Sequence, residues 1–127
     1  MNTSTKRELK DGSVCWFLPD GRGHREDGPA VIQPNGTERW YFNGKLHRDN
    51  GPAITYFDGE MRWYHHGYLH RKDGPAIVFA HGGECWYLYD QVHRIDGPAI
   101  TYPNGITEYC LRGVQYDPVM FLIKRYE

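Results

Sequence analysis

The chain has 127 residues and a formal net charge of −1 at pH 7, with 24% charged and 15% aromatic residues. This length suits a single domain, and mixed charges without an excess of either sign give no electrostatic footprint for nucleic acid or anionic lipid. Since no apolar stretch approaches the ~20 residues of a membrane-spanning helix, we expect neither nucleic acid nor a membrane as a partner.

The N-terminal residues and the cysteines both favour a cytoplasmic location. The segment 1–12 is polar and lacks the apolar region of a secretory signal, so we expect it to be mobile and to precede a first strand. The cysteines are odd in number and form no Cys-x-x-Cys pair: Cys15, Cys85 and Cys110. This usage is typical of reduced thiols in a cytoplasm-like compartment.

One phrase, His-Arg-x-(Asp/Asn)-Gly-Pro-Ala, occurs four times at a constant spacing of 23 residues. Its copies lie at 24–30, 47–53, 70–76 and 93–99. Such a period marks a repeat architecture, in which each unit buries its apolar face by stacking on its neighbours. The fold must therefore be inferred from an array of units.

Aromatic residues and turn formers share this period. One column contains Trp40, Trp63 and Trp86, with Phe17 and Tyr109 at its ends, and a second contains Tyr41, Tyr64 and Tyr87. Turn pairs recur at Asp20-Gly21, Asn43-Gly44, His66-Gly67 and Arg112-Gly113, with a break at Tyr89-Asp90. Asn-Gly between aromatic and β-branched runs is a strong hairpin signal because both turn residues need φ > 0. The sequence thus predicts successive hairpins in unbroken phase from residue 17 to residue 113.

These patterns predict an all-β fold. We expect a single-layer, curved antiparallel meander of about four and a half 23-residue hairpins, with about nine strands, over residues 13–113. Residues 114–127 should form a C-terminal cap, as the ends of repeat arrays do. Asp117-Pro118 reads as the N-cap and first residue of a short helix, and a final edge strand is the alternative.

The units resemble MORN-type repeats (membrane occupation and recognition nexus). The residues that carry the resemblance are Arg39-Trp40-Tyr41-Phe42-Asn43-Gly44-Lys45-Leu46-His47 and Tyr56-Phe57-Asp58-Gly59-Glu60. The resemblance covers roughly four fifths of the chain, but His-Arg-x-Asp-Gly-Pro-Ala replaces the simpler His-Gly-x-Gly of that family. This divergent variant is similar to small binding proteins of bacteria, phages and large DNA viruses, and it implies a hairpin array that dimerises.

The histidine column raises the question of a metal site. Equivalent residues two strands apart would lie ~10 Å from each other, too far to share a zinc ion bound at ~2.0–2.1 Å. We instead expect the histidines and their arginines to link adjacent units, and Asp or Asn to cap the bend. The bend glycines should occupy dihedral angles that a side chain disfavours. The residues with these structural roles are His47, His70, His93, Gly51, Gly74 and Gly97.

Catalytic chemistry has little support in the sequence. The most asymmetric cluster is His65, His66, His81 and Cys85, but it has no carboxylate in phase to orient it. No GxSxG, HExxH or phosphate-cradling loop is present. We therefore expect no enzyme activity, no metal and no other cofactor.

Binding is the function that the aromatic columns favour. Neighbouring residues on a strand point to opposite faces, so the tryptophans and tyrosines should line opposite sides of the sheet. We assign Trp40, Trp63 and Trp86 to structure. The exposed binding surface should contain Tyr41, Tyr64, Tyr87, Arg39 and Arg62, since aromatic and arginine side chains dominate interface energetics. The expected partner is a protein, for example a host factor blocked by a phage or viral protein. The alternative is a nucleotide or sugar stacked on the aromatic rings.

Overall fold

The computed structural model describes residues 3–127, which form short antiparallel strands and one helix. Within these residues the strands are β1 Thr5–Glu8, β2 Val14–Phe17, β3 Val31–Ile32, β4 Glu38–Arg39, β5 Tyr41–Phe42, β6 Lys45–Leu46, β7 Ile54–Thr55, β8 Met61–Arg62, β9 Tyr64–His65, β10 Tyr68–Leu69, β11 Ile77–Val78, β12 Glu84–Cys85, β13 Tyr87–Leu88, β14 Gln91–Val92, β15 Ile100–Thr101, β16 Thr107–Leu111 and β17 Val114–Tyr116. The helix, α1, covers Pro118–Lys124. The predicted all-β class and the short C-terminal helix are both confirmed.

Eleven strands form one long meander. Their order is β1-β2-β3-β4-β7-β8-β11-β12-β15-β16-β17, all pairs are antiparallel, and β1 and β17 are the two open edges. Nine of these strands, from β2 to β16, match the expected number. The two edge strands come from the segments expected to be a mobile N-terminus and a C-terminal cap.

The strand β1 corrects the expectation of a mobile segment over residues 1–12. It pairs with β2 over four residues, from Thr5 opposite Phe17 to Glu8 opposite Val14. Pairing to the first repeat satisfies backbone groups that this edge would otherwise expose. Met1 and Asn2 lie outside the described residues, so the expectation is corrected only for residues 5–8.

Each aromatic strand divides at its tryptophan. In the second unit β4 ends at Arg39 and β5 begins at Tyr41, where the chain leaves the long sheet and enters the small hairpin β5–β6. Trp40 still donates its N–H to the carbonyl of Ala53, 2.7 Å away. The hairpins β9–β10 and β13–β14 repeat this arrangement. The structure is thus a long sheet with small hairpins along it.

The small hairpins are joined to one another by hydrogen bonds between units. Gly67 donates its N–H to the Leu46 carbonyl at 2.8 Å, and His66 donates its N–H to Nδ1 of His47 at 2.9 Å. Equivalent bonds join Gly44 to Gly23 and Gly113 to Val92. A second ladder of bonds therefore runs parallel to the long sheet and holds the hairpins in step.

The two-residue turns have the predicted geometry, including Tyr89-Asp90, where the sequence departs from the pattern of the other pairs. Asn43 and Gly44 have φ of 50° and 81°, the left-handed pair that a tight hairpin requires. Tyr89 and Asp90 adopt φ of 44° and 68° although neither is glycine. Oδ1 of Asp90 accepts the N–H of Leu69 at 2.7 Å, a contact that glycine could not make. The turn is therefore retained with different chemistry.

The core is narrow and consists mainly of small side chains. Ala30, Ala53, Ala76 and Ala99 have no exposed surface, and Ile54 and Ile77 are also buried. At the C-terminal end Phe121 of α1 is buried and its ring lies 4.8 Å from the ring of Tyr109. Asp117 accepts the N–H of Met120 at 2.9 Å and caps α1, as its Asp-Pro sequence predicts.

Candidate binding face

Cross-strand pairing brings a single row of side chains onto one face of the long sheet. The row consists of Arg7, Cys15, Val31, Arg39, Ile54, Arg62, Ile77, Cys85, Ile100 and Glu108. Residues directly opposite in antiparallel strands project to the same side. We call this side the arginine face. The opposite side carries the other row, which includes Glu38, Thr55 and Met61.

The centre of the arginine face is an aromatic ring between two guanidinium groups. Arg39 and Arg62 both pair with Ile54, so they lie two strands, or ~10 Å, apart. The Tyr56 ring lies between them, with its centroid 5.8 Å from Cζ of Arg39 and 5.7 Å from Cζ of Arg62. We call these three residues the arginine clamp. The equivalent positions in the later units are Cys85 and Glu108, so the clamp occurs at one place in the array.

The two arginines of the clamp differ in their partners. Nε of Arg62 donates to Oε2 of Glu60 at 2.8 Å. Burial alone would lower the pKa of Arg62, but the hydrogen bond and charge of Glu60 outweigh this and raise it. Nη1 of Arg39 donates to the neutral amide oxygen of Gln33 and has no carboxylate within 4 Å among the described residues. No carboxylate of residues 3–127 therefore neutralises the positive charge of Arg39.

The tyrosines predicted to bind a partner lie along this face but are only half-exposed. Each stands two residues beyond a member of the row, and Tyr41 shares a pocket with Cys15 and Val31. Burial, followed by the proximity of Cys85, raises the pKa of Tyr87. All of them, with Arg39 and Arg62, are of intermediate burial. The tyrosines are thus less exposed than we expected for a binding surface, because the small hairpins that carry them pack on each other.

The tryptophans belong to a packing unit that recurs in every repeat. Each indole is covered by the arginine of the His-Arg phrase, with Cζ 3.9 Å from the ring centroid of Trp40, 4.0 Å for Trp63 and 3.9 Å for Trp86. The same arginine donates from Nη1 to the proline carbonyl of its own phrase, as Arg71 does to Pro75 at 3.1 Å. The side chains of these arginines thus brace their own unit. Their backbone N–H groups bond the next unit, as Arg71 does to the Tyr87 carbonyl at 3.2 Å, so the expected link between units is also present.

This packing also corrects the explanation of the bend glycines. Gly51, Gly74 and Gly97 are not among the glycines with positive φ. A Cβ added to Gly74 would instead lie 2.6 Å from Cζ of Arg71. Glycine is needed because the guanidinium group lies directly against its Cα, between the bend and the indole ring. In two units the aspartate of the phrase bonds this arginine, as Asp96 does Arg94 at 2.8 Å.

The first member of the tryptophan column is Trp16, and Phe17 was placed there wrongly. Cζ of Arg25 lies 3.7 Å from the Trp16 ring, and Trp16 donates its N–H to Ala30. Since 40 − 16 = 24, the first unit contains one additional residue. It lies in the turn closed by Leu18 and Arg22, whose backbone bond measures 2.8 Å. The phase is therefore unbroken only after this turn.

The histidines of the phrase link neighbouring units. Nδ1 accepts a turn N–H from the next unit at 2.9 Å in His47, 3.2 Å in His70 and 2.9 Å in His93. An Nδ1 that accepts an N–H carries no proton, so a ring that makes this bond between units is neutral. We call the contact of each histidine with the next unit a histidine joint. Burial lowers the pKa of His70 and of His93, which favours the same neutral form.

Three histidines come together at the joint between the second and third units. Ring nitrogens of His47, His65 and His66 lie within 4.8 Å of one another. His47 has no nitrogen to offer a metal, because Nδ1 accepts the His66 N–H and Nε2 bonds Asp49 at 2.9 Å. The rings of His47 and His66 are stacked 4.0 Å apart. We therefore interpret the cluster as packing at this joint. His81, which we grouped with it, is an exposed turn residue.

Sequence reasoning missed Tyr56 as a member of the site. We used it only as part of the Tyr56-Phe57-Asp58-Gly59-Glu60 stretch that resembles MORN-type repeats. The available signal was its position two residues after Ile54, which fits between Arg39 and Arg62 once the register is known. The period was visible in the sequence, but the register between strands was not.

No protein-family model matches the chain, and no curated protein has a similar sequence. The resemblance to MORN-type repeats therefore rests on the residues quoted above and on the succession of hairpins. Within residues 3–127 no helix is long and apolar enough to cross a membrane.

Proposed function

We propose that the chain is a non-catalytic protein-binding module whose partner lies across the arginine face, with the arginine clamp at the centre of the contact. The observation that supports this most is the Tyr56 ring between Arg39 and Arg62. Tyrosine and arginine are enriched among the residues that dominate binding energy, and such residues cluster near interface centres.

The charges of the clamp define the partner's chemistry. Arg62 is already paired with Glu60, whereas Arg39 bonds only a neutral amide. A carboxylate on the partner can therefore form a bidentate pair with Arg39 without displacing an existing ion pair. We propose an acidic residue of the partner at this position, with apolar side chains on either side to contact Tyr41 and Tyr64.

The thiols on this face support binding over covalent catalysis. Burial raises the pKa of the Cys85 thiol, and the neighbouring Cys110 and Glu108 raise it further. Burial likewise raises the pKa of Cys110. A thiol that stays protonated near neutral pH is a poor nucleophile. Cys85, which is half-buried, is better suited to contact than to chemistry, and Cys110 is part of the core.

We extend the proposal to the setting that the MORN-like units imply. A small cytoplasmic protein of a phage or virus that covers a functional surface of a host protein would suit a long, preformed face. The alternative is a nucleotide, because its base could stack on the Tyr56 ring while a phosphate pairs with Arg39. This alternative predicts binding of free nucleotides without any protein partner.

Affinity capture with variants of the clamp tests the proposal. The tagged protein is used to capture partners from cytoplasmic extract, and binding of the captured protein is then measured with Arg39→Gln and with Arg112→Gln as a matched control at an exposed turn. We expect Arg39→Gln to weaken binding by about 2 kcal/mol, roughly 30-fold, as for an interface hot spot. Arg112→Gln should leave binding unchanged. Equal affinity of the two variants would contradict the role of the clamp.

The tyrosine and tryptophan columns provide a second comparison. Tyr64→Ala should keep the fold while weakening binding, since its hydroxyl lies beside Arg62 on the proposed contact. Trp63→Ala should lower the melting temperature, since it removes the ring on which Arg71 stacks. A Trp63→Ala variant that melts normally but fails to bind would place the contact on the other side.

A further inference from the structure

The first unit contains a pocket beside Gly23. It measures about 440 Å³, within the range of ligand sites, and aromatic and small residues form its walls. Its lining includes Arg7, Phe17, Val31 and Tyr41. Arg7, Cys15, Val31 and Arg39 are consecutive members of one cross-strand row. The pocket is therefore the N-terminal end of the arginine face.

The pocket exists because Gly23 replaces a large apolar residue. Gly44 donates its N–H to Gly23, as Gly67 does to Leu46 and Asp90 does to Leu69. Gly23 thus occupies the position of leucine or valine in the other units. A Cβ on Gly23 would lie 3.3 Å from the Tyr41 side chain. Without a side chain here, the surface between Tyr41 and β2 stays open.

The only charged side chain in the lining is Arg7, and it has no counter-ion. No carboxylate lies within 4 Å of its guanidinium group in residues 3–127, and its side chain is exposed on the edge strand β1. Asp20, on the nearby turn, is paired with Arg22 at 2.7 Å. A pocket with aromatic walls and one unpaired cation at its rim is complementary to an aromatic group next to an anion.

We propose that this pocket receives one aromatic side chain of the protein partner, and that an adjacent acidic residue of the partner pairs with Arg7. The inference rests on the proposed binding function, because the pocket continues the arginine face. Arg7 and Arg39 lie three strands apart in the row, or ~14 Å, so one extended segment of the partner can reach both. The pocket then fixes the position of the partner along the repeat array.

Two blocked dipeptides test the pocket without the partner. Acetyl-Trp-Asp-amide and its neutral isostere acetyl-Trp-Asn-amide are titrated into the ¹⁵N-labelled protein, and shifts of the amide signals of Gly21, Gly23 and Gly44 report on the pocket. We expect millimolar binding of both, with the Asp peptide at least about fivefold tighter because its pairing with Arg7 is charge-assisted. Absence of shifts at these glycines, or equal affinity of the two peptides, would overturn the proposal.

Two variants link the result to the named residues. Arg7→Gln should bring the affinity of the Asp peptide down to that of the Asn peptide. Gly23→Leu restores the residue type of the other units and should abolish binding of both peptides. If Gly23→Leu does not fold, the test rests on Arg7→Gln alone. An unchanged preference of Arg7→Gln for the Asp peptide would then refute the site.

The outcomes separate this inference from the proposed function. If the peptides bind at the reporter glycines but Arg39→Gln leaves partner binding unchanged, the pocket is supported and the role of the clamp is refuted. Partner binding that depends on Arg39 but not on Arg7→Gln or Gly23→Leu would support the face and refute the pocket.

Discussion

Replacement of Gly74 by alanine tests the Trp-Arg-Gly packing unit most directly. The added Cβ would lie 2.6 Å from Cζ of Arg71 and 2.8 Å from its Nε. The guanidinium group has only a few tenths of an ångström in which to move toward Trp63, because its Cζ is 4.0 Å from the ring centroid and the tightest of these pairs measures 3.7 Å. Gly74 is not in the positive-φ region, so alanine introduces no backbone strain of its own. The cost therefore comes entirely from displacement of Arg71.

The expected loss follows from the contacts that Arg71 makes. Displacement breaks the bond from its Nη1 to the Pro75 carbonyl, 3.1 Å long, a loss of about 1 kcal/mol. It also weakens the cation–π contact, about 0.5–1 kcal/mol. Alanine regains about 0.4–1 kcal/mol by restricting the unfolded chain. The net loss is about 1 kcal/mol, which lowers the melting temperature by roughly 3–5 °C in a chain of this length.

A double-mutant cycle isolates this cause. Stability is measured by urea unfolding for the wild type, Gly74→Ala, Arg71→Ala and the double variant. With Arg71 truncated, alanine at 74 should be neutral or slightly stabilising. Gly97→Ala serves as a graded control, since its Cβ would lie 3.0 Å from Cζ of Arg94 and should cost less. If Gly74→Ala costs as much without the arginine as with it, the packing explanation is wrong.

Two further predictions concern the pH dependence of stability and the formation of a homodimer. Because burial holds the pKa of His70 and His93 below the ordinary value of 6.5, their contribution to stability is complete above about pH 6.5 and decreases as the pH falls through the folded pKa. Melting temperatures should thus fall between pH 7 and pH 5, less so in His93→Asn, whose amide oxygen can still accept the turn N–H; a flat profile would contradict neutral joints. We also predict a homodimer through the C-terminal end, where Leu122 and Ile123 are each 59% exposed beside the open edge β17. Light scattering should give twice the 14.8 kDa chain mass and the monomer mass for Leu122→Lys, and a monomeric wild type at high micromolar concentration would exclude the dimer.

The repeated local signals account for the part of the fold that the sequence predicts. The pair Asn43-Gly44 is enough to predict a tight hairpin turn, and Asp117-Pro118 is enough to predict the start of a helix. The hydrogen bond from each histidine to the next unit also follows from a polar residue repeated in phase. The reason for glycine at position 74 could not be predicted in this way, since the period alone cannot distinguish a glycine needed for positive φ from one needed for a close contact. Only the position of the Arg71 side chain decides between them.

The displaced first unit shows why register limits such reasoning. A search at a fixed spacing of 23 residues finds Phe17 where the structure has Trp16, because one residue is added within a turn. Because Trp16 and Phe17 are both aromatic, this shift of one residue cannot be recognised from residue type. The same stretch contains Gly23, whose missing side chain opens the pocket.

Differences between units are the best guide to function in an array of this kind. Residues that every unit shares, such as the Trp-Arg-Gly packing and the histidine joints, are explained by the stability of the hairpins. Arginine at 39 and 62 gives way to Cys85 and Glu108 in the later units, and Gly23 gives way to Leu46. Structure does not require these particular choices, because the other units fold without them. Under the proposed binding function, the arginine clamp and the pocket are therefore the places where we expect a partner to bind, and substitutions there should change binding more than stability.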